Sequence, residues 1–146
     1  MAILDAKTIF SREASLVGSG TVIKGSTTWS GSIDDGHSQV VDQEKAGDAV
    51  GQELTIKAVV GGTTNVAGTT ASTAQIKIQT SDTTTDGDFT DLVLSPVISI
   101  HGAVPGTVLF ECRIPSGSKR YLRATVAVSG ASVTAGALSI YATRDL

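Results

Sequence analysis

Four aspartates, Asp82, Asp86, Asp88 and Asp91, fall within ten positions of the stretch QTSDTTTDGDFTDL at 79–92, with Gly87 among them. Clustered carboxylates around a glycine are the raw material of a calcium loop. Counted from Asp82, carboxylates fill positions one, five and seven of an EF-hand loop, and glycine fills position six. Position three holds Thr84, a weak ligand, and position twelve holds Val93 where a bidentate Glu is required. The preceding AQIKIQT alternates like a strand, where an EF-hand needs a helix. A polar hairpin loop accounts for the same residues: Asp and Thr side chains bond nearby backbone amides, and Gly87 accepts a positive φ.

Other chemistry-bearing residues are scattered. Asp34 and Asp35 precede Gly36 and His37, and the one further histidine, His101, is 64 residues away, so no ligand spacing is present. Glu53 and Glu111 could pair as acid and base, but both sit at outward positions of alternating segments, where surface charge is the simpler reading. Cys112, the sole cysteine, is in phase with Val108, Phe110 and Ile114 and reads as a small buried apolar residue. A single cysteine allows no internal disulfide. There is no G-x-S-x-G, no phosphate-cradling glycine loop and no zinc-type cysteine pair. The expectation is a protein that is not an enzyme, with no catalytic residue, no cofactor and no metal.

The elements that would position these residues are strands. ELTIKAVV at 53–60 places Leu54, Ile56, Ala58 and Val60 on one face. TAQIKIQT at 73–80 does the same with Ala74, Ile76 and Ile78, TVLFECRI at 107–114 with Val108, Phe110, Cys112 and Ile114. RYLRATVAV at 120–128 and ALSIYAT at 137–143 repeat the pattern, and VISI at 97–100 and TVIK at 21–24 are shorter candidates. Period two with one apolar face marks half-buried antiparallel strands. The turn clusters between them, VGGTTNVAGTTAS, SDTTTDGD, HGAVPG, PSGSK and VSGASVTAG, predict an all-β sandwich or barrel. Composition agrees. The 146 residues are 40% apolar but only 4% aromatic, so the core must come from Val, Ile, Leu and Ala. DAKTIFSREASL at 5–16 fits either a short helix or an extended arm.

Net charge is −3 and the densest basic group is Lys119, Arg120 and Arg123, which argues against phosphate-backbone binding and hence against a nucleic-acid partner. The first residues, MAILDAKTIF, lack the charged start and long apolar run of a signal peptide, and no stretch is long and apolar enough to predict a membrane partner. Residues 25–52, rich in Gly, Ser and Asp, read as a long loop holding at most a short strand. Trp29 within it is either a plug over a sheet edge or a contact residue.

Three features carry a resemblance. A strand ends in Gln79-Thr80-Ser81-Asp82 ahead of the aspartate-rich loop and Phe89. Lys119-Arg120-Tyr121-Leu122-Arg123 follows a Pro115–Gly117 turn. A hairpin of Val128-Ser129-Gly130 and Thr134-Ala135-Gly136 precedes the last strand. With these, and more loosely with LDAKTIFSREASL at the N-terminus, the chain resembles the tailed-bacteriophage capsid cement, or decoration, proteins of the Bbp16-like family. The likeness covers the second half best, and 25–52 looks like a variable insertion.

The resemblance implies a jelly-roll-like antiparallel β-sandwich of one domain, 1–146, with an N-terminal arm over 1–15 and one long loop over 25–52. It implies a viral structural protein, made in the host cytoplasm and mounted on the virion exterior. There it would bridge neighbouring copies of the major capsid protein, as a homo-oligomer, dimer or trimer. Contact candidates are Ile3, Leu4, Ile9 and Phe10 on the arm, which either docks on a partner or folds back onto its own sheet. Trp29 is another, as are Arg113, Tyr121 and Arg123, which would share a sheet face if their strands pair in register. The alternative is a carbohydrate- or receptor-binding β-sandwich of a tail fibre, which would rely on Trp29, Tyr121 and Tyr141.

Overall fold

The computed structural model describes residues 9–21, 40–42, 54–115 and 117–144. Among these the regular elements are all strands, apart from one 3-10 turn at Asp86–Asp88. In chain order the strands are β1 (Ile9–Ser15), β2 (Gly18–Thr21), β3 (Val41–Asp42), β4 (Leu54–Gly61) and β5 (Thr73–Ser81). They continue with β6 (Thr90–Leu94), β7 (Ile98–Ser99), β8 (Val108–Arg113), β9 (Tyr121–Val133) and β10 (Ala137–Arg144). They form two antiparallel sheets. The first runs β1-β10-β4-β8 and the second β2-β9-β5-β6, with β3 added to β9 and β7 to β5.

The alternation read in the sequence is what brings the sheets face to face. Ile56, Ala58 and Val60 on β4 and Leu138 and Ile140 on β10 are sealed from solvent. So are Ile76 and Ile78 on β5 and Leu122, Ala124 and Val126 on β9. These side chains join in one aliphatic core, to which Phe10 and Leu16 contribute from the first strand and the link after it. Burial of each Val, Leu or Ile among them contributes about 1.5–3 kcal/mol, and each Ala less, which makes this stripe the main source of cohesion.

Several expectations change. Residues 5–16 were open between helix and arm; from Ile9 onward the backbone is β1, paired with β10 through two register shifts. The bulges suit an edge strand that must twist to close the core. The hairpin expected of Val128-Ser129-Gly130 and Thr134-Ala135-Gly136 becomes a crossing between layers, since β9 and β10 lie in different sheets. β9 continues to Val133, and the chain crosses only at 134–136. Gly130 holds φ at 82°, and a Cβ at that position would collide with the backbone oxygen of Ala71, so the strand bends without ending. β6 was hidden by its acidic flank: TDLVL has little alternation, and no residue in it is fully buried. VISI yields only the two residues of β7, and of TVIK only Thr21 is described. Of the long loop 25–52, residues 40–42 are described, and Val41–Asp42 form a short strand on β9.

Candidate interaction surface

β9 and β5 pair without interruption from Thr73↔Ser129 to Ser81↔Tyr121. Their inward residues fill the core, so the alternate residues build an outward polar face. Gln79 sits opposite Arg123 and, on its other side, opposite Asp91 of β6. This register produces a braced row. Arg123 donates from Nε to Gln79 Oε1 at 2.8 Å, and Gln79 donates from Nε2 to Asp91 Oδ1 at 3.0 Å. Asp91 Oδ2 then meets Lys77 Nζ at 3.3 Å. The Gln79 hydrogen bond holds the Asp91 carboxyl below its ordinary pKa; partial burial opposes this, and the Lys77 ammonium adds to it.

Arg123 was expected as an exposed contact residue, and here the structure differs. Its guanidinium lies 4.1 Å from the centroid of the Phe89 ring, and the residue is only 7% exposed. Phe89, placed by the 3-10 turn, covers the cation while Gln79 accepts its hydrogen bond. Arg123 therefore braces the surface and does not project from it.

Arg113, Tyr121 and Arg123 do not share a face. Tyr121 and Arg123 alternate on β9, but β8 pairs with β4, so Arg113 belongs to the opposite sheet, where it faces Thr55. Successive long strands switch layers in this sandwich, and that separates residues close in sequence. Phe10 is buried in the core, which resolves the arm alternative at that residue as folding back. The backbone of Ile9 pairs with Tyr141. Ile3, Leu4 and Trp29 lie outside the described residues.

At the end of the same sheet, Arg120 grips Asp42 with two hydrogen bonds, Nε to Oδ1 at 2.8 Å and Nη2 to Oδ2 at 2.9 Å. Its guanidinium also stands 5.0 Å from the Tyr121 ring centroid. This fork, together with buried Val41, pins the described piece of the long loop to β9. The aspartates of the opening stretch serve different neighbours. Asp88 accepts from Thr83 Oγ1 at 2.6 Å, Asp82 faces Lys119 Nζ at 3.6 Å, and Asp91 belongs to the braced row. Strands flank their loop on both sides. On the other sheet Glu111 faces Lys57 at 4.0 Å, and burial pushes the half-buried Cys112 thiol up in pKa.

The residues that sequence reasoning missed are Lys77, Gln79, Phe89, Asp42 and Arg120. An aromatic directly after an acidic loop was the one available signal, since Phe89 had to find either its own sheet or a partner. The pairing of Arg120 with Asp42 spans 78 positions and has no local trace.

The arrangement is an internally braced polar face. No curated protein matches the chain. The family model described as Bbp16 matches residues 33–142, well over half of the sequence. That span runs from within the long loop into β10 and includes every residue of the braced face, and on it the chain belongs to the Bbp16 family.

Proposed function

We propose that this protein is a capsid cement protein, which binds the outer surface of a tailed-phage head and bridges neighbouring major capsid protein subunits. The observation that carries the reading is the braced face of β9, β5 and β6. Its long polar side chains are already fixed against one another, so little side-chain entropy is lost when a partner docks. A rigid plate of this kind serves adhesion. The family membership and the resemblance of its motifs to phage decoration proteins support the same role. The order of the eight longer strands, first-eighth-third-sixth in one sheet and second-seventh-fourth-fifth in the other, supports the jelly-roll form of the sandwich.

The mechanism is binding alone. Contacts of modest strength, laid across subunit joints and repeated by shell symmetry, resist outward pressure collectively. Self-association of the cement protein would multiply them further. The test mixes purified protein with mature, undecorated heads and measures bound protein after sedimentation. Saturable binding that raises the temperature at which heads rupture is expected; folded protein that stays in the supernatant at every concentration refutes the role.

A further inference from the structure

The core is sealed unevenly. Among the described residues, all eight partly buried apolar side chains packed against it come from positions 92–114. These residues belong to β6, β7, β8 and their links, which close the two sheets along one flank. Among the described residues, four of the five exposed large apolar side chains, Leu94, Val97, Val104 and Val108, lie in the same span. An apolar flank of this kind marks a docking surface.

The sheet edges point to where docking begins. An edge strand invites pairing unless it is blunted. β1 carries two register shifts, β2 is short with Gly18 and Gly20 and a shift of its own, and the β6–β7 edge is broken at Ser95-Pro96. β8 has one shift, beside Val108, and then runs regularly from Phe110 to Arg113 against β4. Among the described residues it has a strand on one side only.

The sequence of β8 also names the occupant. Glu111 and Arg113 point outward on either side of Cys112. An antiparallel pairing about a two-fold axis at Cys112 sets Glu111 against the second copy's Arg113, and Arg113 against the second copy's Glu111. Slipping the pairing by one residue on each strand would set Glu111 against the second copy's Glu111, which like charge disfavours. A two-fold interface requires such a self-complementary patch. Arg113 is also engaged within its own chain, and a guanidinium has five donors to share.

We propose that a second copy of this chain docks on the β6–β8 flank, with β8 pairing antiparallel to the second copy's β8 about Cys112. The inference rests on the self-association named above and gives it a surface and a register.

Sedimentation equilibrium of the full chain tests it without phage heads, so its failure is distinct from failure to bind them. The wild type should be a dimer. Glu111→Arg or Arg113→Glu alone should weaken dimerisation about tenfold or more, because each places like charges at two symmetric positions. The double reversal should restore it to near the wild-type value. Val108→Asp, at an exposed position, should weaken the dimer while leaving the melting temperature of the monomer in place, and it stands in if a charge reversal unfolds the chain. A wild type that is monomeric at its solubility limit overturns the proposal. So does a dimer indifferent to the single reversals and to Val108→Asp, or one that the double reversal fails to restore.

Discussion

At the scale of single residues, Arg123 shows how a charge becomes a structural part. Placing a guanidinium at 7% exposure is costly unless its donors and its flat face are both occupied. Gln79 and Phe89 supply those partners. Arg123→Ala should cost about 2–3 kcal/mol in a urea titration, since it strips Gln79 and uncovers Phe89 together. Arg123→Lys should recover only part of that, because an ammonium lacks the planar fork. A double cycle with Phe89→Leu should give a coupling near 1 kcal/mol, and additive effects would show that the ring contact contributes nothing.

Asp91 carries a pH signature at the same scale. Its folded-state pKa lies below the unfolded one, so its contribution is present above the unfolded value and is lost as pH falls through the folded value. The side chain is 56% exposed, so solvent screening keeps the effect small. Asp91→Asn should lower the urea midpoint slightly at neutral pH. The gap from wild type should close in strong acid, and a gap unchanged by pH would contradict the assignment.

At the scale of elements, β9 is the strand around which the second sheet is built. It pairs with β5 along nine residues and receives β2 and β3 on its other side. Its length depends on Gly130. Gly130→Ala should cost about 2–4 kcal/mol, because a Cβ at a positive φ would also strike the Ala71 carbonyl. Thermal melting reads this directly; a shift of less than a degree would mean the Ala71 loop simply moves aside.

Much of the elements was legible in advance, and the exceptions have physical causes. β4, β5, β9 and β10 announce themselves because one face is sealed, so every second residue must be apolar. β6 and β8 are edge strands with wet residues on both faces, and selection for alternation is weaker there. β6 went unread for that reason. β8 was read, but with Val108 facing inward, whereas Val108 is half-exposed beside the bulge. The candidate surface was less legible still. Tyr121 and Arg123 could be named from their types, but the braced row joins β9, β5 and β6, and nothing local records which strands become neighbours.

At the scale of the whole molecule, the two sheets differ in how well they are closed. The central strands β9, β5, β4 and β10 have neighbours on both sides, and the β6–β8 flank leaves its apolar residues half-covered. Hydrogen exchange should therefore be slowest in β5 and β9 and fast in β6 and β8 in dilute solution. If copies associate through β8, its amides alone should slow as protein concentration rises. Uniform protection across all strands would contradict this uneven closure.

The sequence by itself determined an all-β chain with an aliphatic core, because a period of two with one apolar face admits no other economical burial. It also determined that Asp82, Asp86 and Asp88 sit in a loop entered from a strand, since the segment before them alternates; Asp91, read as part of the same loop, falls inside β6. Only the tertiary structure decided that Arg113 and Arg123 lie in different layers, that Phe10 goes to the core, and that Arg123 is covered by Phe89. Those outcomes depend on which strands pair across long separations. Pairing is set by the packing of two whole faces, which no local stretch of residues encodes.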